Sequence, residues 1–132
     1  MKMIVPFIIS VIVLGSADIS YAGEFSFRCK VENEYELTEN GQLVKAEKGS
    51  YRGSSFSVER STGRIVGGAF NNKGDYQIKV ADSGKSGSFK VFSYSENRKV
   101  TESLAIITRS EAEKKPFVGI DFLQAVVTGT CD

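Results

Sequence analysis

The sequence predicts an all-β domain: a small antiparallel barrel of about eight strands, with a two-sheet sandwich as the alternative arrangement. Three observations carry this. Short runs alternate apolar and polar residues with a period of two, turn residues separate the runs, and past residue 22 no long stretch holds a helical period. Closing such a sheet on itself removes the exposed edges that a flat one would leave.

Residues 1–22 read as a secretory signal peptide, expected to be helical and to precede a single domain at 23–132. Met1-Lys2-Met3 is the charged start, Ile4 to Gly15 the apolar centre, and Ser20-Tyr21-Ala22 the small residues before a cut. A cut after Ala17 is the alternative, since Gly15 and Ala17 are also small. The apolar centre is about 12 residues, short of the roughly 20 that span a bilayer, and Pro6 interrupts it. No stable membrane span is therefore expected after cleavage. The expected location is the periplasm or the medium.

The strands follow in order. Phe25, Phe27, Cys29 and Val31 alternate with Ser26, Arg28 and Lys30 to open the domain. Glu34 to Leu37 and Gln42 to Lys45 flank Asn40-Gly41, a pair that tolerates the positive φ of a tight hairpin turn. Ser55 to Arg60 alternates cleanly and turns at Ser61-Thr62-Gly63 into Arg64 to Gly68, where Gly67-Gly68 marks a bulge or strand end. Tyr76, Ile78 and Val80 form one face of the clearest hairpin, and Asp82 to Gly87 is its loop. Ser88 to Tyr94 returns with Phe89 and Val91 inward and Phe92 and Tyr94 on the other face. Leu104 to Thr108 is a continuous apolar run, expected to be covered on both sides. Ser110-Glu111-Ala112-Glu113 matches a capping box, but Pro116 limits it to one helical turn or a plain loop. Ala125 to Cys131 closes the chain, with Cys131 on an apolar face like Cys29.

An oxidising compartment favours a bond between Cys29 and Cys131, which places the first and last strands side by side. Two buried free thiols, or a bridge between chains, is the competing arrangement.

Absent residues bound the chemistry. There is no histidine, so Ser-His-Asp and Cys-His catalysis and the usual zinc sites cannot be built. No phosphate-binding glycine motif and no calcium-loop spacing occur, so neither metal nor cofactor is expected. Carboxylates alone can serve a glycosidase, but acids such as Glu34, Glu59, Glu102 and Asp121 are spread out, most of them on outward parity or in turns. The signal segment carries one cation and one anion, Lys2 and Asp18, so its removal leaves the net charge at +1. That balance argues against nucleic acid as partner. No catalytic residue is expected.

Binding is the remaining class, with an unknown protein or envelope component as partner. The candidate surfaces are the loop around Phe70, Asn71 and Asn72 and the hairpin tip with Ser83, Lys85 and Ser86. At that tip Lys85 could reach into an acidic cleft. The outer faces of the sheet read as ordinary solvated surface.

Two resemblances follow from particular residues. Phe56 to Gly67, Ser88 to Val91, Lys115 to Phe117 and Thr128 to Cys131 resemble small exported proteobacterial proteins of unknown function. That likeness implies a bacterial envelope setting and no activity. In architecture alone the chain is similar to periplasmic inhibitors of C-type lysozyme, eight-stranded barrels that insert a serine- and lysine-bearing segment into the lysozyme cleft. Ser83-Gly84-Lys85-Ser86 is the matching stretch, although Phe89 and Lys90 depart from that family's pattern. The sequence thus points to an exported, non-enzymatic envelope protein that binds a macromolecule. A lysozyme inhibitor and a small apolar ligand carrier are the alternatives.

Overall fold

A computed structural model describes residues 25–122 and 125–132, so the expected signal peptide and its cleavage sites lie outside the described residues. The described chain is all-β, with β1 (Ser26–Leu37), β2 (Leu43–Lys45), β3 (Ser55–Glu59), β4 (Ile65–Gly67), β5 (Tyr76–Ser83), β6 (Phe89–Ser95), β7 (Val100–Ile106), β8 (Lys115–Ile120) and β9 (Val126–Cys131). They form one curled antiparallel sheet in the order β4-β3-β1-β9-β8-β7-β6-β5, with β2 paired to β1. The sheet is a half-barrel. First and last strands do pair, Cys29 stands opposite Cys131, and the two are joined as a buried disulfide with a Cα–Cα distance of 4.0 Å. The expected side-by-side ends are borne out, but the opening lies elsewhere: β4 and β5 are the two edges and do not pair.

Alternation builds the core, as expected. Phe27, Cys29 and Val31 point in from β1, Phe56 and Val58 from β3, Phe89 and Val91 from β6. Phe27 meets Phe89 at 5.3 Å between ring centroids, and Phe56 takes Phe70 and Phe117 edge-on at 5.1 and 5.2 Å. Gly119 makes room for Phe70, since a Cβ there would overlap the Phe70 ring.

The structure departs from the sequence reading in three places. A bulge between Val31 and Asn33 joins the first two runs into one strand of 12 residues and resets their parity, turning Glu34 inward. The apolar run at 104–108 is not covered on both sides: β7 starts earlier and alternates, with Glu102, Leu104 and Ile106 inward. Residues 110–113 take the plain-loop form of the two expected: Ser110 accepts from the Ala112 N–H and Lys115 reaches back to the carbonyls of Ser110 and Ala112. The chain then enters β8, which the sequence did not reveal.

The outer face is also less polar than expected. Phe92, Val118 and Ile120 are exposed, and with Ser103 and Ala105 between them they line a shallow apolar groove of about 280 Å³.

Candidate functional site

The unpaired seam between β4 and β5 is the most distinctive surface of the fold. Ladder alternation fixes which backbone groups face it. Ile107 donates to the Pro116 carbonyl across β7 and β8, so Glu102, Leu104 and Ile106 direct their backbone groups to β6. Carried one strand further, Gln77 and Lys79 bond to β6, while Tyr76, Ile78 and Val80 turn their N–H and C=O groups to the seam. Among the described residues those groups have no hydrogen-bond partner.

The β4 edge is better covered. Asn72 pairs with Ile65 as a strand residue would: its Oδ1 accepts from the Ile65 N–H at 2.6 Å and its own N–H donates to the Ile65 carbonyl at 3.2 Å. Its Nδ2 donates to the Gly63 carbonyl and the Ser93 hydroxyl, both at 2.9 Å. A buried side-chain amide thus ties β4 across the seam to β6. Gly63, at φ +72°, packs against β5 through side-chain methyls: a Cβ there would sit 2.6 to 2.9 Å from Val91, Ile78 and Val80. The β5 main chain stays uncovered by that contact.

A cleft opens at each end of the seam. One, of about 320 Å³, is lined by Arg64, Asn72, Lys73, Gly74, Tyr76 and Ile78. The other, of about 540 Å³, is lined by Phe25, Glu59, Arg60, Ser61, Ser83 and Lys85. Arg60 lies over the Phe27 ring at 5.0 Å and donates to the Ser83 carbonyl at 3.2 Å, a second side-chain link across the gap.

Both sequence-predicted segments border this seam, at opposite ends of the eight-residue β5, roughly 25 Å apart. They do not form one patch. Phe70 and Asn72 are 1% and 2% exposed and serve the core and the β4 latch, so neither is available to a partner. Asn71 is exposed beside them. Ser83, Lys85 and Ser86 are exposed at the tip, and the tip is organised by Asp82. That carboxylate accepts from the Gly84 N–H at 3.0 Å and from the Ser86 and Ser88 hydroxyls at 2.9 and 3.0 Å, and these bonds hold its pKa below the usual value.

No family model, curated protein or solved structure matches this chain.

Sequence reasoning missed the charge along the seam. Arg64, Lys73, Lys79 and Lys85 are exposed, and none makes an ion pair among the described residues. Of the acids nearby, Asp82 is engaged in its loop, and Asp75 accepts from the Ser95 hydroxyl at 2.6 Å and pairs with Arg98 at 3.2 Å. The four cations are remote in sequence, so no basic run announced them.

It also missed the polar end of the barrel. Glu34, Glu102 and Asp121 are buried, exceptions to the outward or turn placement expected of most acids. Glu102 is pushed up to about 7, first by burial and then by the charge of Asp121, against the opposing influence of the Tyr76 hydroxyl and Arg98. Tyr51 is raised too, by burial and by its hydrogen bond to Asp121, with Glu34 and Glu102 adding to the repulsion. These acids hold structural partners: Glu34 accepts from the Tyr51 N–H at 3.0 Å, and Asp121 from the Ala125 N–H at 2.9 Å. No group of three metal-ligating side chains occurs among the described residues.

Proposed function

We propose that this is an exported, non-enzymatic binding protein of the bacterial envelope that engages a macromolecule along the β4–β5 seam. The observation that carries it is the β5 edge, where Tyr76, Ile78 and Val80 leave their backbone groups unpaired beside exposed cations. Folded proteins normally cover or blunt such an edge. The buried disulfide fits an oxidising compartment, in keeping with export. The acids clustered at one end of the barrel, Glu34, Glu102 and Asp121, are 6% exposed or less, which keeps a polymer substrate from them. Aromatic rings in mutual contact fill the interior where an apolar ligand carrier would hold its cargo.

The test is a photo-reactive side chain installed at Lys79 beside the seam or, as control, at Ser57 on the outer face of β3. In the native periplasm the Lys79 position should give a discrete adduct and the Ser57 position none. Equal labelling from both positions would reject the seam as the site.

A second reading has its own support. The Asp82-organised tip presents Lys85 on a pre-shaped loop, as an inserting inhibitor requires. The purified domain should then slow C-type lysozyme on cell walls, and Lys85→Ala should weaken the effect. No inhibition at micromolar protein rejects this reading.

A further inference from the structure

We infer that the seam's partner is an extended acidic polypeptide segment, which adds to β5 as one further strand. The inference rests on the seam being the binding site and names the chemistry of what it takes.

Tyr76, Ile78 and Val80 present three N–H donors and three C=O acceptors at alternate positions, the repeat an added strand matches. A compact ligand would satisfy a few of these groups; an extended main chain satisfies them in register. The β5 edge carries no proline, and its bulge between Val80 and Asp82 lies toward the far end, after the three open positions.

Charge gives the composition. Side chains of an added strand alternate, one set facing outward beside Gln77 and Lys79 and the other facing the barrel interior. The outward set meets Lys79, with Arg64 on the β4 side and Lys73 at the adjoining cleft, all exposed and without ion pairs among the described residues. Acidic residues are complementary there and basic ones are repelled. The inward set meets the side chains of Ile78 and Val80, against which Gly63 packs so closely that a Cβ there would overlap them, so only small apolar residues fit. The partner segment therefore alternates acidic with small apolar residues.

The experiment uses the oxidised mature protein, labelled with ¹⁵N, and a capped peptide alternating Glu and Val. Binding should slow amide exchange at Tyr76, Ile78 and Val80 by at least about tenfold, with Gln77 and Lys79, already bonded to β6, little changed. Replacing every Glu of the peptide with Lys should weaken binding by about tenfold or more, and Arg64→Glu with Lys73→Glu should erase that preference. Both substitutions fall on exposed residues, so the fold is retained. Equal binding of the Lys peptide overturns the acidic assignment. Shifts along the seam with unprotected amides overturn strand addition and leave the seam reading standing. If no seam resonance responds and the Lys79 adduct is also missing, both fall.

Discussion

Glu102 shows how one buried side chain sets a property of the whole protein. Its pKa is raised from 4.5 to about 7, so the folded protein holds this proton more tightly than the unfolded chain does. The stabilisation is complete below pH 4.5 and is lost as pH rises through about 7. The domain should lose roughly 2 kcal/mol of stability between about pH 5 and pH 8 from this group. Glu102→Gln removes the charge at nearly constant volume; its urea midpoint should be flat across that range and exceed wild type near pH 8. Asp75 and Asp82 do not confuse the measurement, because both are lowered from 3.8 and their contributions are lost only in stronger acid. Gly129 is a residue-scale constraint of another kind. A Cβ there would overlap the Lys30 carbonyl oxygen of β1 and approach Phe117 at 2.9 Å, so the neighbouring ladder must shift to admit it. Gly129→Ala should destabilise by about 3 kcal/mol, read from the same urea curves, and a near-neutral result would mean that β1 and β9 sit further apart than described.

Among the elements, β4 depends most on one contact. It is three residues long, lies at a sheet edge, and has its outer backbone groups satisfied at Ile65 by Asn72. Asn72→Ala leaves the Ile65 N–H without its acceptor, at a cost of about 2 kcal/mol. The Ile65 amide should exchange much faster while those of β6 and β7 hold, and protection spread evenly over the molecule would show that β4 is held by something else. Sequence legibility varied among the elements for physical reasons. The β5–β6 hairpin was readable because Tyr76, Ile78, Val80, Phe89 and Val91 keep strict parity around a glycine-rich loop. In β8, Phe117 and Gly119 point inward but Val118 and Ile120 outward, so both faces are apolar and no alternation marks the strand. Glu34 was misplaced because one extra residue in the bulge reverses parity, and nothing in the composition of Val31 to Asn33 announces it. The seam was illegible for a different reason. Alternation reports which way a side chain points, never which strand lies beside which, so Arg64 and Lys73 were brought to the β5 edge only in three dimensions.

At the scale of the molecule, the disulfide joins the first and last strands at the middle of the sheet rather than at its rim. Cys29 and Cys131 are 102 residues apart in sequence, yet β1 and β9 are central in strand order, with the edges formed by β4 and β5 from mid-sequence. Tying a loop of that length stabilises by about 4 to 5 kcal/mol, by restricting the unfolded chain. A domain of about 110 residues has a total stability of only some 5 to 15 kcal/mol, so the bond is a large share of the whole. Cys29→Ala with Cys131→Ala should therefore lower the unfolding free energy by about 4 kcal/mol, part of it from the small cavity left in the core. Because the ladder between β1 and β9 continues on both sides of the pair, the variant should keep its all-β circular dichroism in the cold and melt far earlier. If the urea midpoint instead moves by less than the equivalent of about 1 kcal/mol, chain restriction is not what holds the ends together, and the β1–β9 ladder alone suffices.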